Sequence, residues 1–324
     1  MQVRTSLTGP FPRSEALVAA TRDLDRGRAS AESVEGQFAE DEREVVALEA
    51  RLGFDASTGG ALRWADLFRP FAEGWRGFTV GPVTRWFETN TFFRQPILHA
   101  PPERVAGVVR AALPKAEVVP PDRTKVILPG PFTFAGLLDN RSGETREALT
   151  HRLGRLIADD VRELRAAGYR TFQFQEPLLV TDPPTGPLAE AAVVAYRSLG
   201  AAADGATTIV WTYFGDAAPV QPLLHRLPVG VIGVDLAETE PDQIVPPRDH
   251  RGVGLGCLDP RTTLPEDPAD VARIATSLRA RGHPKELWLG AGGPLDLLPT
   301  DAGARKLEVL PATKALLLRS EAAA

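Results

Sequence analysis

Two acidic residues stand at the ends of short buried runs in the sequence. The run 171–174 leads through Gln175 into Glu176 and Pro177, and Asp235 closes the run that starts at Val229. A chain that leaves a sheet at such a point places the carboxylate at the rim of the sheet, where it can bind an amine or act as a general base. An ion pair with a loop arginine is the simpler alternative for either residue.

An aromatic turn ends another apolar run. Residues 207–216 read TTIVWTYFGD, and the β-branched start of this stretch predicts a buried strand. We therefore expect Trp211 and Tyr213 at the same rim as the two carboxylates. Tyr213 is then a third candidate catalytic group beside Glu176 and Asp235, because the polar tip of an aromatic residue in such a turn can face a pocket.

Two arginines are candidates for binding an anion, because a guanidinium offers a bidentate fork. Arg13 follows a proline-rich turn, and Arg85 opens a segment, residues 85–93, that mixes polar and large apolar side chains as a binding wall does. Trp86 and Asn90 belong to the same segment and are candidate substrate-binding residues with the arginines. A surface position is the commoner outcome for an arginine.

Candidate metal ligands are sparse in the sequence. The five histidines form no HxH, HxC or HExxH pattern, and Cys257 is the only cysteine. The glycine-rich stretch 290–293 lacks the lysine of a Walker motif. We therefore expect no metal site and no bound zinc. A centre built from Cys257, His225 and rim carboxylates is the open alternative.

The order of the elements predicts the fold class. Short buried runs alternate with longer helical patterns, as in a parallel α/β sheet. We therefore predict an α/β protein, a single (β/α)8 TIM-type barrel with additional N-terminal helices, that forms one domain over residues 1–324. A closed barrel needs about eight strands, and eight strand starts can be found, at Val3, Arg85, Lys125, Thr171, Thr207, Val229, Gly252 and Glu286.

Helical patterns fill most of the sequence between these strands. Ser14 and Ser30 or Ser33 are the expected caps of the first two helices. An aromatic-rich segment, residues 62–75, has the spacing of a core helix and is more often core than a ligand site. The predicted helices cover residues 15–25, 30–52, 101–113, 144–167, 188–203, 267–281 and 302–319.

Composition limits the range of functions. The chain has 324 residues, 43% of them hydrophobic, and a formal charge of −5 with basic residues spread along the sequence. No electrostatic footprint for nucleic acid or a membrane surface is visible. A single cysteine, the lack of an apolar leader and the lack of any run near the roughly 20 apolar residues of a membrane span predict a cytoplasmic protein that acts on a small molecule.

Five short motifs suggest a family when they are taken together. In chain order they are GPFPR at 9–13, RWFETN at 85–90, LPGPFT at 128–133, QFQEP at 173–177 and WTYF at 211–214. The set resembles the cobalamin-independent methionine synthases. The resemblance implies a family with two related β/α barrels, of which the C-terminal one carries catalytic zinc and the N-terminal one helps to hold folate. The present chain is similar to the N-terminal barrel.

The resemblance also implies where this chain departs from the catalytic barrel. In that barrel a histidine and a cysteine of an HxC motif, a glutamate and a later cysteine bind zinc, which activates homocysteine for methyl transfer from methyltetrahydrofolate. Thr212, Phe214 and Asp235 stand at the first three positions here, and Gly292 or its neighbour stands at the last cysteine. Three ligands are thus replaced by groups that do not bind Zn²⁺ usefully, and one carboxylate cannot hold the metal alone.

Three functions follow as hypotheses. The first is a methyltransferase component that takes methyltetrahydrofolate as a co-substrate, holds no tightly bound cofactor and works beside a separate zinc-bearing methionine synthase barrel. The second is a self-sufficient, zinc-free enzyme of the same superfamily, with methyl transfer or uroporphyrinogen-decarboxylase-like chemistry. The third is a non-catalytic scaffold barrel.

In the leading hypothesis a pocket at the strand C-termini holds the substrate. The aromatic residues offer a stacking face, and Arg85, which stands at a lysine that contacts folate in the family, takes an anionic tail. Gln175 stands at a family aspartate, so one charge is lost there. The candidate catalytic residues are Glu176, Asp235 and Tyr213, and the candidate substrate-binding residues are Arg13, Arg85, Trp86, Asn90, Gln175 and Trp211.

Overall fold

A parallel sheet forms the centre of the fold. The computed structural model describes residues 2–247, 249 and 251–322. In chain order, the strands of these residues are β1 (Gln2–Thr5), β2 (Arg76–Arg85), β3 (Phe92–Glu103), β4 (Lys125–Pro129), β5 (Asp139–Asn140), β6 (Thr171–Gln175), β7 (Thr207–Trp211), β8 (Val231–Asp235), β9 (Gly252–Leu258) and β10 (Glu286–Ala291). Seven strands pair in parallel in the order β1-β10-β9-β8-β7-β6-β4, which confirms the mixed α/β class.

Helices connect the parallel strands. The side chain of Ser14 accepts a hydrogen bond from the backbone N–H of Leu17, and that of Ser30 accepts one from Ser33, so both predicted caps are confirmed. The α-helices are α1 (Glu15–Asp25), α2 (Ala31–Arg51), α3 (Arg69–Gly74), α4 (Val108–Ala111), α5 (Pro131–Leu137), α6 (Arg146–Ala166), α7 (Leu178–Thr181), α8 (Gly186–Ala202), α9 (Gln221–Leu224), α10 (Pro268–Gly282), α11 (Thr300–Leu307) and α12 (Val309–Ala322). Short 3-10 turns cover Gly59–Ala61, Ala218–Val220, Pro241–Gln243 and Leu295–Leu297.

The parallel sheet curves until its two edges share side-chain contacts. Lys125, on the edge strand β4, donates hydrogen bonds of 2.8 Å to the Ser6 hydroxyl beside β1 and to the Gln173 side chain on β6. The same ammonium lies 5.8 Å from the ring centre of Trp288 on β10. Contacts between strands at opposite ends of the sheet order require the sheet to bend around a common interior.

A short segment, residues 55–57, lies between the two edge strands. The Asp55 N–H donates to the Thr5 carbonyl at 2.9 Å, and the Lys125 N–H donates to the Ser57 carbonyl at 2.8 Å. Ser57 also forms a parallel bridge with Thr124. One segment therefore hydrogen-bonds to both β1 and β4.

Two predictions about the region before β4 are wrong. Arg85 ends β2, which pairs with β3 in an antiparallel hairpin outside the parallel sheet, so it does not start a barrel strand. The helix predicted for residues 101–113 is a strand end followed by the single turn α4. Pro101 and Pro102 extend β3 beyond its pairing with β5, and proline is tolerated at such an unpaired edge.

Within the described residues, no helix is long and apolar enough to cross a membrane.

Candidate functional site

A cavity opens at the carboxyl ends of the parallel strands. The last residue of β6 and residues that follow β1, β7 and β10 line it on one side, and the aromatic-rich segment and the tip of the β2–β3 hairpin line it on the other. The cavity has a volume of about 50 Å³, and about 500 Å³ when the open solvent at its mouth is included. Its lining residues are Pro10, Trp64, Ala65, Asp66, Leu67, Trp86, Thr91, Phe92, Phe93, Gln175, Tyr213, Pro294 and Asp296.

Asp296 is a carboxylate inside this cavity. The 3-10 turn Leu295–Leu297 is held against the first rim loop, because the Asp296 N–H donates to the Pro10 carbonyl at 3.2 Å. The residue is exposed to solvent at the cavity. Desolvation by the surrounding protein atoms raises the pKa of Asp296 to about 6, with the charge of Arg13 opposing the shift. Among the described residues, no other residue donates a side-chain hydrogen bond or ion pair to this carboxylate.

Gln175 places an unsatisfied acceptor in the same cavity. It is the last residue of β6 and is 1% exposed. Its Nε2 donates to the Thr8 carbonyl, whereas its Oε1 has no hydrogen-bond partner. A buried acceptor without a partner costs about 1–3 kcal/mol, so this oxygen favours a bound donor.

Aromatic rings form rigid walls around these two acceptors. Trp86 packs edge-on against Phe93 at a centroid distance of 5.3 Å and against Phe68 at 5.9 Å. Trp64 packs against Phe71 at 5.9 Å. The predicted core role of this aromatic segment is therefore only part of its role, because Trp64 also lines the cavity.

Tyr213 brings a neutral hydroxyl to the cavity. It is buried, and burial with the nearby charge of Asp296 raises the pKa of its phenol well above the ordinary value. The next residue, Phe214, has a φ of 66°, a left-handed conformation that turns the chain sharply after Tyr213. Tyr213 is the predicted catalytic candidate that lines the cavity.

Glu176 is bound to the start of a helix. Its Oε2 accepts from the Thr133 N–H at 2.8 Å, and its Oε1 accepts from the Phe132 N–H and the Tyr196 hydroxyl, both at 3.2 Å. The side chain is 0% exposed, and burial raises the pKa of Glu176 to about 7. This carboxylate satisfies the N-terminal donors of α5 and is not among the cavity-lining residues.

Asp235 lies beside the cavity and is held by backbone donors. Its two oxygens accept from the Phe214 N–H at 3.3 Å and the Ala237 N–H at 3.0 Å. Burial raises the pKa of Asp235 to about 6. A Cβ atom on Gly292 would lie 2.3 Å from its Oδ1. Positions 214, 235 and 292, which the resemblance pairs with zinc ligands, therefore meet in space.

The groups at these positions do not fit a zinc ion. The Thr212 hydroxyl donates to the Gly233 carbonyl at 3.1 Å, Phe214 and Gly292 have no ligand atoms in their side chains, and Asp235 is one carboxylate. Over residues 2–247, 249 and 251–322, no group of three or more His, Cys, Asp and Glu side chains is placed to hold a metal ion. Cys257 is buried, and burial raises the pKa of its thiol to about 12.

The other predicted residues divide between interior and surface. Trp211 is buried and donates from Nε1 to the Gly292 carbonyl at 3.1 Å, so it fills the interior beneath the mouth. Arg13 donates twice to the Leu62 carbonyl and lines an outer groove that continues from the cavity. Arg85 is exposed, with its guanidinium 5.9 Å from the ring centre of Phe92 at the cavity wall. Asn90 is exposed in the hairpin loop.

Sequence reasoning missed Asp296. The residue lies in a short turn after β10, and an aspartate in the stretch GGPLDLL has no spacing that separates a ligand residue from a turn residue. The available signal was its position after the last predicted strand, because functional residues of parallel β/α folds lie at the carboxyl ends of the strands.

Similar proteins place this geometry in context. A family model described as the cobalamin-independent synthase, N-terminal domain, matches residues 54–280. A 5-methyltetrahydropteroyltriglutamate–homocysteine methyltransferase of Synechococcus sp. is 29% identical over 257 residues, which are 78% of this chain and 33% of that protein. A protein named methionine synthase from Sulfurisphaera tokodaii is 26% identical over 310 residues, which are 94% of this chain and 89% of that protein.

A solved structure shows the same fold. The structure of a B12-independent methionine synthase from Shewanella sp. W3-18-1 in complex with selenomethionine superposes with a TM-score of 0.76 and covers 100% of both chains. Its sequence identity to this chain is 17%, so the likeness concerns the fold. The chain thus spans about a third of the Synechococcus protein and the whole of the Shewanella chain.

Proposed function

Because the chain belongs to the family of the cobalamin-independent synthase N-terminal domain, we propose that it is a component of methionine-synthase-type methyl transfer. In this proposal the cavity beside Tyr213 and Asp296 binds a methylfolate-type donor or a related small molecule. A separate barrel supplies the zinc, and that metal activates the homocysteine thiol when the two proteins act together.

The observation that carries the proposal is the pairing of an inert metal position with an intact cavity. Phe214, Asp235 and Gly292 meet at the strand ends without a usable ligand set. The neighbouring cavity has aromatic walls, a buried acceptor without a partner, Gln175 Oε1, and the exposed carboxylate of Asp296. This combination supports binding and positioning of an organic substrate by the chain's own residues.

The barrel of this proposal has eight strand positions. The parallel sheet supplies seven, and we propose that residues 55–57 act as the eighth, since they hydrogen-bond to Thr5 on β1 and to Lys125 on β4. Closure at this point would bring the first rim loop, with Pro10, next to the wall that carries Trp64. Both residues line the cavity, so the eighth position would help to shape the donor site.

Arg85 has a defined role in this proposal. It is exposed on β2 near Phe92, which lines the cavity, so its guanidinium can bind the acidic tail of a donor whose ring lies inside. Arg85→Ala should weaken binding of a polyglutamylated methyltetrahydrofolate about two- to fivefold, the effect of about 0.4–1 kcal/mol expected from an exposed charge pair. Arg76→Ala, at the other end of the same strand and also exposed, is the matched control and should leave binding unchanged.

A self-sufficient, zinc-free enzyme is the second candidate. It is favoured by Tyr213, which lines the same cavity as Asp296. Glu176 and Asp235 contribute less to it, because the carboxylate of each accepts hydrogen bonds from backbone N–H groups and neither residue lines the cavity. A non-catalytic binding or scaffold barrel would have its rim plugged by Trp211, Phe214 and Trp86, whereas Trp86 lines an open cavity.

One experiment separates these functions. The purified chain is analysed for metal, and methyl transfer from methyltetrahydrofolate to homocysteine is measured for the chain alone, for a zinc-bearing methionine synthase barrel alone and for the mixture. The proposal expects less than stoichiometric zinc in the chain and a rate in the mixture that exceeds the sum of the separate rates. Stoichiometric zinc together with activity of the lone chain would refute it.

A further inference from the structure

We infer that Asp296 and Gln175 recognise the amidine-type edge of a planar heterocycle, in which a ring N–H and an exocyclic NH₂ point in the same direction. The inference rests on the proposed function, because it assigns the part of the site that would receive the ring of the methyl donor. The inference names the two residues that select that ring and the edge of the ring to which they hydrogen-bond.

The first observation is the free hydrogen-bonding capacity of Asp296. The other cavity carboxylate, Asp66, is fully engaged: it accepts from the Phe68 N–H at 3.0 Å, from the Arg94 N–H at 3.1 Å and from the Arg69 guanidinium at 3.0 Å. Within the described part of the chain, the Asp296 carboxylate has only its own backbone N–H as a hydrogen-bond partner, and the residue is exposed at the cavity. A carboxylate that is open to a ligand in this way can accept from two parallel N–H donors.

The second observation is the orphan oxygen of Gln175. Its amide is oriented by donation from Nε2 to the Thr8 carbonyl, which leaves Oε1 as the acceptor without a partner. The residue is fixed on β6 and almost completely buried, so this oxygen cannot rotate into bulk solvent. A third N–H donor on the same ligand edge would satisfy it.

The third observation is the lack of matching donors in the wall. The cavity lining described above contains two carboxylates and no lysine or arginine. Arg13, whose charge acts on Asp296, lines the outer groove and donates its Nε and Nη2 to the Leu62 carbonyl, and the Arg69 guanidinium is paired with Asp66. A ligand that presents carbonyl oxygens instead of N–H groups would therefore find few donors besides the Tyr213 hydroxyl.

The fourth observation is the shape of the walls. Trp64, Trp86 and Phe93 are held by ring contacts to other buried aromatics, so their surfaces are rigid. Flat walls above an acceptor pair favour a planar ligand over a tetrahedral ammonium group, because stacking and in-plane hydrogen bonding then act together.

The test uses pterin and lumazine, two planar bicyclic heterocycles that differ by an exocyclic NH₂ in pterin and an exocyclic oxygen in lumazine. Binding of each to the full chain is followed by the fluorescence anisotropy of the heterocycle. We expect pterin to bind at least tenfold more tightly than lumazine. Asp296→Asn should weaken pterin binding tenfold to a hundredfold, as expected when a charged partner of a hydrogen bond is lost.

The preference between the two probes is the decisive quantity. In the wild type the exocyclic oxygen of lumazine would face a carboxylate, whereas the side-chain NH₂ introduced by Asp296→Asn can donate to that oxygen. The preference for pterin should therefore fall at least tenfold in this variant. Asp301→Asn, an exposed carboxylate paired with Arg305, should leave the preference unchanged. Asp296→Glu, which keeps the charge, should retain part of it.

Equal affinity for the two probes, no binding of either, or an Asp296→Asn variant that keeps the full preference would overturn the inference. The methyl-transfer assay reports on the proposed function separately. Methyl transfer without a pterin preference would refute the role of Asp296 alone, whereas a pterin preference that responds to Asp296→Asn without methyl transfer would support this role and count against the proposed function.

Discussion

Removal of the Glu176 carboxylate is expected to destabilise the fold, because that carboxylate anchors the start of α5. Three buried donors, the N–H groups of Phe132 and Thr133 and the hydroxyl of Tyr196, use it as their acceptor. Each donor left without a partner costs about 1–3 kcal/mol, and the truncated side chain also leaves a cavity. Glu176→Ala should therefore lower the free energy of unfolding by about 3–5 kcal/mol.

Two milder variants give this prediction a graded test. Glu176→Gln keeps one acceptor oxygen but turns an NH₂ group toward a backbone N–H, which should cost about 1–3 kcal/mol. Tyr196→Phe removes one donor and should cost about 1 kcal/mol. Glu190→Ala, an exposed glutamate paired with Arg226, is the control and should change stability by less than about 0.5 kcal/mol. Urea unfolding followed by circular dichroism measures all four variants.

The pH dependence supplies an independent check on Glu176. Burial raises its pKa from 4.5 to about 7. The associated stability is complete below about pH 4.5 and is lost as the pH rises through about 7, so the wild type should lose about 2–3 kcal/mol relative to Glu176→Gln between pH 5 and 8. A Glu176→Ala variant that unfolds at the wild-type urea concentration but loses methyl transfer would refute the anchoring role and restore the catalytic one.

Three further outcomes follow from the same structure. Pterin affinity should rise about tenfold from pH 5 to 7 in a fluorescence titration, because the Asp296 carboxylate, with a pKa of about 6, ionises over that range, and Asp296→Asn should abolish the change. The charged and titratable groups that face this carboxylate are Arg13, Asp66 and Tyr213. Gly254→Ala should lower the free energy of unfolding, measured in urea, by about 1–3 kcal/mol, because its Cβ would lie 2.4 Å from the Trp211 ring. Gly36→Ala is the control: it is a helix position with nothing within 4 Å, and the substitution should raise the free energy of unfolding by about 0.5–1 kcal/mol. Lys125→Ala should lower the free energy of unfolding by about 3–5 kcal/mol in the same assay, because it leaves a buried cavity and two acceptors without a donor. Lys125→Met keeps the side-chain volume, so it should lower the free energy of unfolding by less.

The parallel strands could be predicted from sequence because burial on both faces leaves a strong pattern. Runs such as KVILP in β4 and GVGLGCL in β9 are apolar almost throughout and buried at every residue. The position between β1 and β4 could not be predicted in this way. Residues 55–57 have the sequence DAS, and they are ordered by hydrogen bonds of their backbone to Thr5 and Lys125. No pattern of side chains predicts this backbone pairing.

Part of the candidate site could also be predicted from the sequence, and part of it could not. The carboxyl ends of β6 and β7 were located correctly from the apolar runs that precede them, and Gln175 and Tyr213 both line the cavity. What the sequence could not show is where each side chain turns. Glu176 follows Gln175 directly, yet its carboxylate goes to the N-terminus of a helix more than 40 residues earlier in the chain, because Phe132 and Thr133 present unpaired donors there.

The geometry around Gly292 bears on whether the carboxyl ends of the parallel strands could acquire a metal. A cysteine at position 292 would need a Cβ where Asp235 Oδ1 now lies, at 2.3 Å, and Asp235 is itself fixed by the Phe214 and Ala237 N–H groups. The Phe214 backbone is left-handed, and its ring packs against Tyr213 at 4.8 Å and Phe87 at 5.7 Å. A cysteine at position 292 would therefore meet a filled position, and we expect Gly292→Cys to destabilise the protein without conferring zinc affinity. Metal analysis of Gly292→Cys by mass spectrometry tests this expectation, and stoichiometric zinc in a stable variant would contradict it.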